Sequence, residues 1–555
     1  MLTDTRVAPP AQRRRSALAD HRVFAALLLL AAALRVVTML AYRPATLYWY
    51  DSFTYLDTAV HPAPSATFHP IGYPLLLRAL LPFHSVELVA AVQHVIGLGT
   101  GMLLYAVLRR RSAPGWVAAS ATVPLLFDAS FLRLEQAVLS DTQFIFLVVA
   151  GLAVLMWSPR LSVRAAAGAG LLFALAALTR TIALPLLLLV VLVLAVRRVG
   201  WRPLAVLALA GSLPLAGYAA WYAQHHGRFA ISGADGVALW ARTMTFADCA
   251  RIQPPPDLAR LCPNETKVDA ASEYVWAAGA SLNLLPGDRF THNDLARSFA
   301  IGAILAQPLD YLGDVVRDTA IAFSWTPVPH PDRTTPAFGF RSGHWELPDQ
   351  PLIDKVKREY DPEIRGLASV SPYADFLIAY QYAAYLRGPF LGLILLVGGV
   401  AAVRRPGVAL LPWVVATGLL IGPVAVLDFD HRYVLPVIPV ACLAAALAQA
   451  PGVRTGARRV RTARRARSAA RGSRCSWMAW LRAMSRPISS NATSAGSVPP
   501  GRSPASTARP ASLRSRADQA SNLASTASRT APSRPSNSWA AATKKHPPGN
   551  TPRSR

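Results

Sequence analysis

The chain has 555 residues, of which 53% are hydrophobic and only 16% charged, with a mean hydropathy of +0.30. Soluble globular proteins carry about a quarter charged residues, so this composition excludes an ordinary water-soluble fold. The net charge of +27 excludes a nucleic-acid binder by its distribution: residues 453–555 hold 21 Lys and Arg against one acid, Asp518, and so carry +20 of it.

The apolar residues fall in runs of roughly 15 to 23, long enough to cross about 30 Å of hydrocarbon as helix. They predict an all-α polytopic membrane protein of about ten transmembrane helices. Arg13, Arg14 and Arg15 precede the first run, Val23–Ala41, which places residues 1–22 in the cytoplasm by the positive-inside rule. No small-residue cleavage site follows this span-length run, which argues against a signal peptide. A second span, Val86–Leu108, returns the chain to Arg109, Arg110 and Arg111. Trp116–Phe131 leads out again, and Val138–Trp157 leads back to Arg160 and Arg164.

Ala165–Val196 reads either as one over-long helix or as a hairpin broken at Thr179-Arg180-Thr181. Arg164 at one end and Arg197, Arg198 and Arg202 at the other favour the hairpin. Pro203–Tyr222 completes an N-terminal transmembrane module, residues 23–222.

Residues 223–387 then form a large external loop of mixed composition. Cys249 and Cys262 lie within it, at a spacing that suits a small disulfide-closed loop outside the membrane. Asn264-Glu265-Thr266 fits a glycosylation sequon. Leu295–Phe323 has apolar residues at helical spacing, interrupted at Pro308, and predicts a helix pair on or near the membrane surface. Three last spans, Gly388–Val403, Gly407–Leu427 and Val434–Ala450, make a C-terminal module, 388–450. The Arg-, Ser-, Ala- and Pro-rich residues 451–555 read as a disordered cytoplasmic tail at a plasma membrane, more readily a solvated tail without a partner than one that binds anionic lipid.

Candidate chemistry is sparse inside the spans. Arg35, His94 and Arg180 lie near ends or breaks, where snorkelling accounts for them. The lack of mid-span acids counts against a proton-driven transporter. No CxxC pair or HExxH motif is present, so no metal site and no cofactor are expected, with a divalent-cation requirement left open.

Polar residues gather instead at the outer ends of helices, in four segments: Tyr48-Trp-Tyr-Asp-Ser-Phe-Thr-Tyr55, Phe68-His-Pro-Ile-Gly-Tyr-Pro74, Arg133-Leu-Glu-Gln-Ala-Val-Leu-Ser-Asp141 and Asp428-Phe-Asp-His-Arg-Tyr433. The topology puts all four on one surface. Acids beside basic and aromatic residues at the membrane boundary suit a reaction on a lipid-linked polar substrate.

At these segments the chain resembles the GT-C fold glycosyltransferases, in the branch of protein mannosyltransferases and lipid A aminoarabinose transferases. Members carry an acid just after the first span with a Tyr following, as Asp51 and Tyr55 stand here. A His-Pro-x-Gly-Tyr-Pro-like segment comes next, matched by His69, Pro70, Gly72, Tyr73 and Pro74. Ser140-Asp141 opens the fourth span, and Arg432, Tyr433 and Pro436 match an Arg-Tyr-x-x-Pro segment at the last. Ser52 departs from the pattern, since many relatives have a second acid there. The long cysteine-bearing loop resembles that of actinobacterial members.

The resemblance implies transfer of a sugar from a polyprenyl-phosphate carrier to a glycan, lipid or protein acceptor on the outer face, with inversion. Asp51 would be the general base, with Glu135 or Asp141 as a second acid. Arg432 would grip the carrier phosphate, and Tyr55, His69, Tyr73 and Tyr433 would contact substrate. His69 beside Pro70 reads more readily as a turn element than as a metal ligand. A lipid or solute transporter and a non-catalytic scaffold remain the competing classes.

Overall fold

The computed structural model describes residues 21–47, 49–332 and 339–449. The expected tail and nearly all of the expected N-terminal cytoplasmic segment lie outside the described residues, as do Tyr48 and the side chains of Trp49 and Tyr50.

The described chain is mainly helical, with almost no strand. Helix α1 (Arg22–Ala41) is followed by α2 (Trp49–Val60), α3 (Gly72–Leu80) and α4 (Val86–Arg110). Ser85 caps α4, its hydroxyl accepting the Leu88 amide at 3.2 Å, and Arg109 and Arg110 close the helix at its negative end.

The expected third span is not one helix. It is built from α5 (Gly115–Ser120), α6 (Val123–Phe127) and α7 (Ala129–Gln136), with a bend of 53° between α6 and α7. Asp128 causes the restart. Its carboxylate accepts the amides of Ser130 and Leu386, both at 2.7 Å, capping α7 and tying it to a distant segment.

Helix α8 (Asp141–Met156) follows, then α9 (Val163–Thr179) and α10 (Ala183–Val196), which separate at Arg180. Arg180 is extended, with φ −145° and ψ 126°, so the helix cannot continue through it. Helix α11 (Trp201–His226) lies against α9 in close backbone approach: a Cβ at Gly170 would stand 2.4 Å from the Leu207 carbonyl oxygen. Small residues at such crossings are what allow apolar helices to pack where lipid offers no hydrophobic drive.

The segment between the two helical modules has its own core. Helix α12 (Asp235–Thr243) packs on α13 (Asn293–Ala306), burying Val237, Trp240, Leu261 and Phe299 together. Cys249 and Cys262 are joined by a disulfide with Cα atoms 6.0 Å apart. Helix α14 (Pro308–Ala320) turns away from α13 at Pro308, the two arms meeting at 99°.

Helices α15 (Pro351–Glu359) and α16 (Tyr373–Ala383) follow, then α17 (Gly388–Arg404), α18 (Leu410–Val426), the single turn α19 (His431–Val434) and α20 (Val437–Ala446). A small antiparallel sheet in the order β1-β3-β2 joins Tyr42–Arg43 after the first helix to Leu367–Ser369 and His344–Trp345. The segment is thus stitched to the exit of α1.

Among the described residues four helices are long and apolar enough to cross a bilayer: Arg22–Ala41, Val86–Arg110, Trp201–His226 and His431–Gln449. Three bent pairs and four shorter apolar helices accompany them.

Candidate active site

Three places where helices begin or break are brought together: the start of α2, the Arg180 break between α9 and α10, and the turn α19. Asp51 stands in the first turn of α2, where the helix dipole favours a carboxylate. Its Oδ1 lies 3.3 Å from His69 Nε2, and its Oδ2 accepts a hydrogen bond from Arg432 Nη1 at 3.3 Å. Burial pushes the Asp51 carboxyl up. His69 and Arg432 outweigh that and hold it well below the usual carboxylate range.

Arg432 is oriented from its own turn. Asp430 caps α19, accepting the Arg432 amide at 2.9 Å through one oxygen and facing Arg432 Nε at 3.1 Å through the other. The guanidinium lies over the Tyr433 ring, 5.3 Å from its centroid. Arg180 lies over the same ring at 5.1 Å. Two guanidiniums therefore share one aromatic ring.

Arg180 is anchored by Asp141, whose Oδ1 accepts from its Nη1. Asp141 is 1% exposed, and its second oxygen is buried without a hydrogen bond. Snorkelling does not describe Arg180: its side chain is 18% exposed and paired inward. Sequence reasoning missed this pairing, because a side chain at a helix break has no periodicity to show which way it turns.

His69 reaches Asp51 because α3 begins hard against the end of α9. A Cβ at Gly72 would stand 2.6 Å from the Leu178 carbonyl carbon, so only glycine permits the approach. Gln143 fixes the junction by donating to the Gly72 carbonyl at 3.1 Å and to the Thr179 hydroxyl at 3.2 Å.

Burial corrects three of the expected roles. Tyr73 is wholly buried, and its hydroxyl donates to Gln93 Oε1 at 2.9 Å; it has no surface left for substrate. Tyr55 is 5% exposed, shares a hydrogen bond with Ser140 at 3.0 Å, and sets its ring against the His69 ring at 4.7 Å. It supports His69 from beneath rather than meeting a ligand.

Glu135 belongs to a separate cluster. Arg35 reaches both of its oxygens at 2.8 Å, and His94 Nδ1 lies 2.9 Å from Oε2. A carboxylate so engaged is not available as a second catalytic acid. Arg35 and His94 are correspondingly buried partners rather than snorkelling side chains, at 2% and 3% exposure.

Ser52, standing where an acid was expected, is buried and donates to the Val138 carbonyl at 2.9 Å. A carboxylate there would face that carbonyl instead.

The segment between the two helical modules grips the stretch that carries Arg432. Asp428 accepts the amide and hydroxyl of Ser272, both at 2.9 Å, and meets His330 Nε2 at 2.7 Å. His431 Nε2 lies 2.8 Å from the Val328 carbonyl. Burial lowers the tendency of His330 to hold a proton, but its pairing with Asp428 prevails and raises it above the ordinary histidine value; Asp428 is lowered in turn.

Among the described residues one His and carboxylate group is close enough to share a cation: Asp57, His61 and Glu359. Lys355 Nζ already faces Asp57 at 2.8 Å, so one of the two carboxylates has a protein cation as its partner.

Neither a protein-family model nor a curated protein sequence matches the chain. Similar solved structures include ArnT from Cupriavidus metallidurans in the apo state, at 15% identity, with 76% of each chain covered and a TM-score of 0.30. Another is the protein O-mannosyltransferase Pmt1-Pmt2 complex of S. cerevisiae bound to the sugar donor, at 15% identity and a TM-score of 0.29. There the match covers 45% of this chain and spans only 38% of that one.

Proposed function

We propose that the chain is a membrane glycosyltransferase that moves a sugar from a polyprenyl-phosphate carrier to an acceptor hydroxyl. The observation that carries this reading is the pairing of Asp51 with Arg432 in a cleft where Arg180 shares the Tyr433 ring. One carboxylate and two guanidiniums supply what the reaction needs.

The acceptor oxygen forms a bond to the anomeric carbon as the bond from that carbon to phosphate oxygen breaks. Asp51 takes the acceptor proton, and polyprenyl phosphate leaves with the bonding electron pair. Displacement from the opposite face inverts the anomeric centre. The leaving group is already an anion, so cationic stabilisation matters more than a strong acid. Arg432 and Arg180 supply it, and a guanidinium suits two phosphate oxygens at once.

The depressed Asp51 has a clear place in this scheme. While Arg432 faces it, Asp51 is a weak base. A phosphate that draws Arg432 onto itself removes that influence, so Asp51 gains basicity when donor is bound. His69 remains on the other oxygen and keeps the carboxylate oriented.

The membrane lipid and the lipid-linked donor are the partners this reading requires, at a plasma membrane with both termini cytoplasmic and the cleft outside. No cofactor takes part in the proposed steps. The test is reconstitution with a labelled polyprenyl-phosphate sugar and acceptor fractions from a deletion strain. The reading expects acceptor-dependent release of polyprenyl phosphate and an inverted product anomer. Donor left intact with every fraction, and no sugar-lipid accumulation in the deletion strain, would overturn it.

A further inference from the structure

Helix α14 is inside out. Its acids Asp314 and Asp318 are buried toward the protein, at 7% and 6% exposure, where Asp318 pairs with Arg242 and Asp314 with Thr245. Its apolar residues point away. Leu309, Leu312 and Val316 recur at helical spacing on one stripe, and Leu309 is 80% exposed. The stripe continues across the Pro308 elbow through Leu305, 76% exposed, and Ile301 on α13. At 100° per residue the remaining charges, Asp310 and Arg317, fall on one flank of α14.

A helix facing water would be turned the other way. Burying two carboxylates while exposing a leucine stripe is favourable where the exposed side meets apolar surroundings rather than water.

The neighbouring residues identify them as hydrocarbon. Tyr311 on α14 donates to the Ala425 carbonyl at 2.9 Å, which fixes the helix beside the last turn of α18. The chain then runs through Ile321–Phe323 to Ser324, whose carbonyl accepts the Gly388 amide at 3.1 Å at the start of α17. Helix α17 is an apolar helix with Phe390, Leu393, Leu396 and Val400 exposed along its length. Trp325 stands at its entry, with Arg387 over its ring at 5.6 Å and Phe390 at 6.1 Å. Tryptophan and arginine together are typical of the headgroup level. The α14 helix is therefore tied to the last turn of α18 and to the entry of the apolar helix α17, at the Trp325 level.

We propose that α14, with the end of α13, lies in the membrane leaflet on the Asp51 side, its Leu305–Val316 stripe seated among acyl chains. This goes beyond a surface association: the stripe is embedded, and the buried Arg242–Asp318 pair sits directly behind it. The consequence is that the external segment, and the Asp428 stretch it grips, are held at a fixed depth.

The test is site-directed spin labelling of the full chain in lipid nanodiscs. Cys442→Ala and Cys475→Ser provide the background, with the Cys249–Cys262 disulfide kept. Labels enter singly at Leu309→Cys, Leu312→Cys, Val316→Cys and, for contrast, Asp310→Cys. Leu396→Cys on α17 gives the lipid reference. Collisions with oxygen and with a water-soluble nickel chelate report depth. The proposal expects the three stripe labels to match the Leu396 label, with an oxygen-to-nickel ratio several-fold above that at Asp310. Nickel access at the stripe equal to that at Asp310 would overturn it, since the helix would then lie in water. Protection from both reagents would overturn it too, because a second copy or a protein partner would then cover the stripe. None of these outcomes depends on the glycosyltransferase reading.

Discussion

Arg432 places its Nη1 3.3 Å from Oδ2 of Asp51, across 381 residues of sequence. The contact joins the first turn after the first span to the first turn of the last. At this distance the pair is engaged but not tightly closed, which suits a guanidinium that must transfer to an arriving phosphate. Arg432→Lys keeps the charge and loses the fork. We expect KM for the donor to rise by about one power of ten, the equivalent of ~1.4 kcal/mol, with little change in folding. Donor-saturation kinetics on the purified variant check this; an unchanged KM would remove Arg432 from the phosphate.

Asp141 and Arg180 form a buried pair, with Asp141 1% exposed. Asp141→Asn would leave Arg180 without its anchor beside Arg432. Breaking one side of such a pair costs about 3–5 kcal/mol. Thermal melting in detergent should show this loss, and the Asp141→Asn, Arg180→Gln double variant should recover part of it. Additive losses in the double variant would mean that the two residues act separately.

Glu135 carries the charge balance of Arg35 and His94 rather than the chemistry. Glu135→Gln strands the buried Arg35 guanidinium and weakens the His94 contact, and should lower the melting temperature markedly, by about the same 3–5 kcal/mol. The turnover of the protein that does fold, normalised to active molecules, should stay near wild type. A stable variant with lost turnover would return Glu135 to the catalytic group.

His330 and Asp428 give a pH signature. The folded protein raises His330 above 6.5, its ordinary value. The stability this pairing contributes is therefore fully present below about 6.5. It is lost as pH rises through the higher folded value. Asp428, lowered in the fold, contributes across the neutral range and loses its share only in strong acid. Comparing melting curves of wild type and His330→Gln, we expect the gap to be widest near pH 6 and to close toward alkaline pH. A gap that widens with pH would contradict the assignment.

Much of the helical plan was legible in the sequence because apolar length and arginine placement are strong, local signals. The break at Arg180, the elbow at Pro308 and the helix starts after Ser85 and Arg387 are written in residues that cap or interrupt helices. The third span was not legible. The breaks at Pro124 and Asp128 stand inside an otherwise apolar run; Asp128 caps the restart at Ser130, and its second oxygen ties it to Leu386, a partner that only the fold brings near. The site divides in the same way. Asp51, His69, Arg432 and Tyr433 sit at helix ends with motif-like neighbours, and the fold brings these four together. Arg180, Asp430 and Gln143 were not assigned to it, because their roles depend on which way a side chain turns at a break. Glu135 and Tyr73 misled for the converse reason: polar residues beside a functional segment are as often tied into the packing that supports it.

The central claim is that Asp51 removes the acceptor proton. Asp51→Asn keeps the shape and most of the hydrogen bonding with His69 and Arg432, and removes the basicity. The decisive measurement is single-turnover transfer by the purified variant, with polyprenyl-phosphate sugar and the acceptor identified from the deletion strain. The account predicts a rate lower by roughly two to four powers of ten with donor binding near wild type. Transfer at the wild-type rate would contradict it.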